Sequence, residues 1–117
     1  MNRNFVEAAV VSRRTVARDT YVMGFAIDLD DAVHAGQFAM VHTGDDDEYV
    51  LPRPYSILDV VDGRMDLLVK IAGRGSRELV RLAEGERVRV FAPLGTPFAL
   101  DAFAGRPAVL VAGGVGV

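Results

Sequence analysis

The chain contains no cysteine. Disulfides, thiolate nucleophiles and cysteine-ligated iron–sulfur clusters are therefore excluded for these 117 residues. Long apolar runs are missing as well. The longest, residues 108–112, is far too short to span a bilayer. No apolar stretch with a small-residue cleavage site stands at the N-terminus, so no signal peptide is expected. A run of Lys or Arg is also lacking, and the formal net charge of -3 gives no electrostatic reason to expect nucleic acid or a membrane surface. These absences fit a cytoplasmic protein.

What is present suits one ordinary domain. Half of the sequence is hydrophobic and a quarter is charged, enough for a packed core under a polar surface. Residues 5–14 and 15–27 are rich in Val, Ala, Tyr, Phe and Ile with partial period-two alternation, and both read as strands. Residues 28–36 form a connection, and 38–43 a third strand. Gly44 and the four acids after it read as a solvated turn, without the spacing of a calcium loop. Residues 50–61 carry two prolines and read as an irregular edge strand, because proline cannot donate to a ladder. Asp62-Gly63 signals a hairpin into a strand over 65–72. A short helix then follows over 77–83, with Ser76 as its N-cap, Leu79, Leu82 and Ala83 on one face, and Gly85 just past its end. Residues 87–91 form another strand. Pro93, Gly95 and Pro97 punctuate a loop, and residues 108–112 read as a buried strand. The pattern predicts a mainly β fold, a small antiparallel barrel with one short helix.

Two motifs carry chemistry. Gly73-Arg74-Gly75-Ser76 opens the helix. Glycines allow close backbone approach, and helix N–H groups favour an anion. The same residues also suit a plain tight turn with a Ser cap. In Arg53-Pro54-Tyr55-Ser56, Arg offers a planar fork suited to a diphosphate. Pro54 stiffens the strand, Tyr55 can lie against a ring, and Ser56 is a small donor that can approach a ring nitrogen. The alternative is an exposed Arg beside a core Tyr. One hairpin separates the motifs, so strand pairing can bring both to one end of a sheet, where they suit a dinucleotide-like ligand.

The series Gly36-Gln37-Phe38, Arg53-Pro54-Tyr55-Ser56, Gly73-Arg74-Gly75-Ser76, Pro93-Leu94-Gly95-Thr96-Pro97-Phe98 and Gly113-Gly114-Val115-Gly116 resembles ferredoxin-reductase-like flavoproteins. The nearest branch is that of the electron-transfer subunits of dihydroorotate dehydrogenase. The resemblance implies a six-stranded antiparallel Greek-key barrel binding FAD over residues 1–105. It also implies that residues 106–117 begin an α/β lobe for NAD(P), truncated here. Arg53 would hold the diphosphate, Tyr55 the ribityl chain or isoalloxazine, and Ser56 the reactive ring edge. Leu68, Val69 and Lys70 would line the flavin, and Gly75 and Ser76 would bind phosphate. A [2Fe–2S] cluster would belong to the missing C-terminal part, and a catalytic partner subunit in pyrimidine biosynthesis is implied. Three positions depart from that branch: Tyr55 replaces an aliphatic residue, Ser76 a Thr, and Thr96-Pro97 an Asn-Gly.

A strand followed by Gly-Gly-x-Gly is how a dinucleotide lobe begins, but one residue follows Gly116, so no nicotinamide site is expected from this stub. The other reading is a last strand pairing with the barrel. His34 and His42 lack a metal-ligand partner at suitable spacing, and the methionines read as core filler. Two functions remain. One is a redox flavoprotein domain, in which Lys70 stabilises a reduced, anionic flavin. The other is a non-enzymatic barrel, either a flavin or anion carrier or an interaction module.

Overall fold

Alternation of inward and outward side chains along six strands closes a barrel. The computed structural model describes residues 5–43 and 51–114. Its strands are β1 (Val6–Ala17), β2 (Thr20–Ala26), β3 (Phe38–His42), β4 (Arg53–Val61), β5 (Arg64–Lys70) and β6 (Arg87–Leu94), with one helix, α1 (Arg74–Arg81), between β5 and β6. The strands close in the order β1-β2-β5-β4-β3-β6, every neighbouring pair antiparallel. The crossovers that place β5 beside β2, and β6 between β3 and β1, give the expected Greek key.

The core follows from period-two burial. Met23 and Phe25 of β2, Met65, Leu67 and Val69 of β5, Val41 of β3 and Val90 of β6 are fully or almost fully buried. Met23 and Met65 are thus the core filler the sequence implied. Helix α1 closes one mouth of the barrel with Leu79 and Val80, and Leu82 packs against the same cluster. Ala83, expected on that face, lies beyond the helix and is exposed.

The structure moves several boundaries. The β1–β2 turn falls at Arg18-Asp19, not between Arg14 and Thr15. Thr15 and Val16 keep to strand geometry, and Asp19 takes the positive φ of 52° that an Asp tolerates in a tight turn. The β4 strand is not an edge. It pairs with β3 from Arg53 and with β5 from Ile57. Its first residues pair with β3 and its later ones with β5, and Pro54 is accommodated in the first stretch, where the β5 side is open. Helix α1 starts at Arg74, so Ser76 is in its first turn rather than at its cap. Residues 108–112 form no strand, and Val109, Leu110 and Val111 are 89–96% exposed. A strand needs a partner, and the closed barrel offers no free edge. The acidic turn at 44–48 and residues 115–117 of the Gly-rich stub lie outside the described residues.

Two of the quoted motifs turn out to brace one end of the barrel. Gln37 donates from Nε2 to the Gly95 carbonyl at 3.0 Å, and its own carbonyl accepts from the Ile57 N–H at 3.3 Å. Gly36 (φ 96°) lies under the Phe98 ring and Gly95 (φ 88°) under the Phe38 ring. A Cβ at either position would stand 3.0 Å from a ring carbon. Both the dihedral and the approach require glycine.

Candidate functional site

Where β4 leaves β5, a cleft opens. Ladder bonds join the two strands from Ile57 and Leu67 toward the Asp62-Gly63 hairpin; beyond them β4 stays with β3 and β5 with β2. The space between is about 650 Å³, with the start of α1 at its far side. Ser56 and Leu58 alternate with Tyr55 and Ile57, which lean on the core, and so face outward from β4. Leu68 and Lys70 alternate with the buried Leu67 and Val69 on β5. Together with Pro54 and Ala72 they make a wall that is apolar toward its middle.

The other end is cationic. Arg53, Lys70 and Arg74 line it, and among the described residues no acidic one does. Glu78 holds Arg74 from one turn further along the helix, Nε to Oε1 at 3.0 Å. Arg53 is exposed and pairs with no carboxylate among the described residues. Its side chain lies against Gly75, where a Cβ would stand 3.2 Å from Arg53 Cγ and 3.4 Å from Nε. A Cβ on neighbouring Gly73 would meet nothing within 4 Å, so the backbone there is open. The first N–H groups of a helix have no intrahelical acceptor and carry the positive end of its dipole. An exposed guanidinium and the start of the helix therefore share one corner.

Ser76 serves this corner indirectly. Its Oγ accepts from the N–H of Ala72 at 2.8 Å and of Gly73 at 3.2 Å, and it donates to the Gly73 carbonyl at 3.2 Å. The hydroxyl is spent on its own loop, which it folds into the shape that leaves Gly73 exposed and seats Gly75 under Arg53. Tyr55 is half-buried. Burial pushes its hydroxyl pKa up, and the nearby Arg53 charge pulls the other way.

The structure thus gathers Arg53, Pro54, Tyr55, Ser56, Leu68, Lys70, Gly75 and Ser76 around one cleft. Val69 is not part of it, because its side chain is fully buried in the core. Ile57, Leu58, Ala72 and Arg74 line the cleft without having been singled out. Arg74 was hidden in the variable position of its own motif, and Leu58 could have been found by extending the alternation from Ser56. Elsewhere, His42 Nδ1 lies 2.9 Å from Arg89 Nη2, and among the described residues no cluster of His, Asp or Glu could hold a metal ion. No helix among the described residues is long and apolar enough to cross a membrane.

This geometry fits a ligand with a flat apolar portion and an anionic portion, and the comparisons with known proteins agree. Residues 7–98 match the family described as oxidoreductase FAD-binding domain. The chain belongs to that family, and the non-enzymatic alternative is not favoured. It is 34% identical over 111 residues to the electron transfer subunit of dihydroorotate dehydrogenase B (NAD(+)) of Lysinibacillus sphaericus, covering 92% of this chain and 43% of that protein. The corresponding subunit of Geobacillus thermodenitrificans is 36% identical over 112 residues, covering 92% and 44%. The chain therefore spans less than half the length of these curated relatives. Among solved structures it is similar to the ferredoxin reductase of carbazole 1,9a-dioxygenase, with a TM-score of 0.66, 26% identity, and 76% and 28% of the two chains covered. The cytochrome b5 reductase domain of Ulva prolifera nitrate reductase shares the fold at a TM-score of 0.68, with 21% identity and 81% and 42% covered.

Proposed function

We propose that the cleft holds FAD with its diphosphate at the Arg53–Gly75 corner and its isoalloxazine against the wall of Ser56, Leu58 and Leu68. The observation that carries this reading is the contact of Arg53 with Gly75 at the start of the helix. An exposed guanidinium there meets a diphosphate as a fork of donors, and the helix N–H groups add to it. Lys70 puts a second positive charge beside the cleft, and positive charge favours a flavin that has taken up electrons. The bound flavin supplies the redox chemistry, while the protein binds it, orients it and sets the charge around it.

On the same reading, residues 1–105 are the flavin domain, and residues 106–117 lead into a nicotinamide-binding lobe of a longer protein. That protein passes electrons between NAD(P) and a catalytic partner subunit, with a [2Fe–2S] cluster beyond this segment, in cytoplasmic pyrimidine biosynthesis. The support is the similarity to two bacterial subunits named for that role.

The test is titration of the flavin-free protein with FAD. Saturable quenching of flavin fluorescence at micromolar protein is the expected outcome. Unchanged fluorescence across that range would overturn the reading.

A further inference from the structure

Helix α1 has eight residues, Arg74–Arg81, about 12 Å of axis. A helix this short does not persist alone, so its direction is imposed by what holds it. Its last turn packs Leu79 and Val80 into the barrel mouth. Its start is held by Ser76 on the loop before it. Its end is also held from β1. Arg13 Nη1 donates to the Val80 carbonyl at 2.5 Å and to the Leu82 carbonyl at 3.3 Å.

Arg13 sits on β1 opposite Met23, a fully buried residue of β2, and so projects on the inward side of the sheet. It does not enter the core. Its guanidinium stops at the mouth, where the last carbonyls of α1 lack intrahelical partners and carry the negative end of the dipole. No carboxylate pairs with Arg13 among the described residues; its recorded bonds both go to this helix end.

We infer that Arg13 is a positioning residue for the anionic corner of the cleft, acting through α1 without touching the ligand. The inference rests on the FAD reading given above. Leu79 and Val80 seat the last turn in the core, and Arg13 fixes the carbonyls of that turn. Without Arg13 the helix can tilt about this seat, and the opposite end, with Gly73 and with Gly75 against Arg53, moves in turn. The apolar wall belongs to β4 and β5 and does not move with it. Loss of Arg13 should therefore weaken a ligand bearing the diphosphate and spare one that has only the ring.

The experiment measures FAD and riboflavin binding by fluorescence for wild type, Arg13→Ala and Arg13→Lys, well below the unfolding temperature of each. Arg13→Ala is expected to lose about tenfold in FAD affinity, the scale of one charged hydrogen bond, with riboflavin affinity unchanged. Arg13→Lys keeps the charge at the helix end but loses the fork, and should fall between wild type and Arg13→Ala. Should the alanine variant fail to fold, the lysine variant carries the same contrast. Equal losses for both ligands, or no loss of FAD affinity, would overturn the positioning role while leaving FAD binding intact. If wild type binds no FAD, the FAD reading fails first and this inference with it.

Discussion

Arg53 and Gly75 come from different elements and meet where a side chain on the second would displace the first. A Cβ at Gly75 would lie 3.2 Å from Arg53 Cγ, closer than side chains ordinarily pack. Gly75 lies within α1 and carries no left-handed dihedral, so alanine there should favour the helix by about 0.5–1 kcal/mol. Arg53 is exposed and flexible enough to swing aside. Gly75→Ala should thus unfold at the same or a slightly higher temperature while binding FAD more weakly. A thermal melt and an FAD titration on one preparation check this. Retained affinity in the variant would show that Arg53 does not need its seat on Gly75.

Arg53 itself separates phosphate from ring. A charge-assisted contact contributes about 1.5–3 kcal/mol, some 10- to 150-fold in affinity. Arg53→Ala should lose FAD affinity on that scale and leave riboflavin, which has no phosphate, nearly unaffected. Matching losses would place Arg53 away from the diphosphate.

Ser76 is expected to matter through the fold of its loop. Removing its hydroxyl leaves the Ala72 and Gly73 N–H groups without their acceptor, at a cost of about 1–3 kcal/mol where they are shielded from water. Ser76→Ala should therefore lower the melting temperature of the ligand-free protein as well as FAD affinity. Ser76→Thr, which keeps the oxygen, should restore both. A hydroxyl acting on phosphate alone would leave the ligand-free melt unchanged, and that result would refute the loop role.

Much of this was legible in the chain because strands advertise themselves by alternation and anion-binding turns by glycine. The six strands, the single helix and the two motifs follow from such local patterns. What escaped was set at long range. Thr15 and Val16 read equally well on either side of a turn, and β-pairing decided that the turn falls at Asp19. Val69 was named with Leu68 and Lys70 on the family resemblance; adjacent strand residues face opposite sides, so its side chain goes to the core while its neighbours line the cleft. The run at 108–112 is apolar enough for a core, but composition does not supply a partner strand. Arg13 meets carbonyls 67 and 69 residues away, a contact that no local pattern encodes.

Tyr55 provides a prediction in pH. Burial disfavours its phenolate, so its folded pKa lies above the ordinary tyrosine value of about 10, with Arg53 opposing the shift. Between the unfolded and folded values, the unfolded chain has released a proton that the folded chain retains. The unfolded state then binds fewer protons, and stability falls as pH rises through that window. Below the unfolded value Tyr55 makes no contribution to the pH dependence. Tyr55→Phe removes the group, so its denaturant midpoint should decline less than that of wild type above about pH 10. Arg53→Ala removes the opposing charge. It should raise the Tyr55 pKa further, seen as a later rise of tyrosinate absorbance once the Tyr55→Phe titration is subtracted. An unchanged or earlier rise in Arg53→Ala would mean that the guanidinium charge does not set this hydroxyl's titration, and that the two residues do not share the cleft electrostatically.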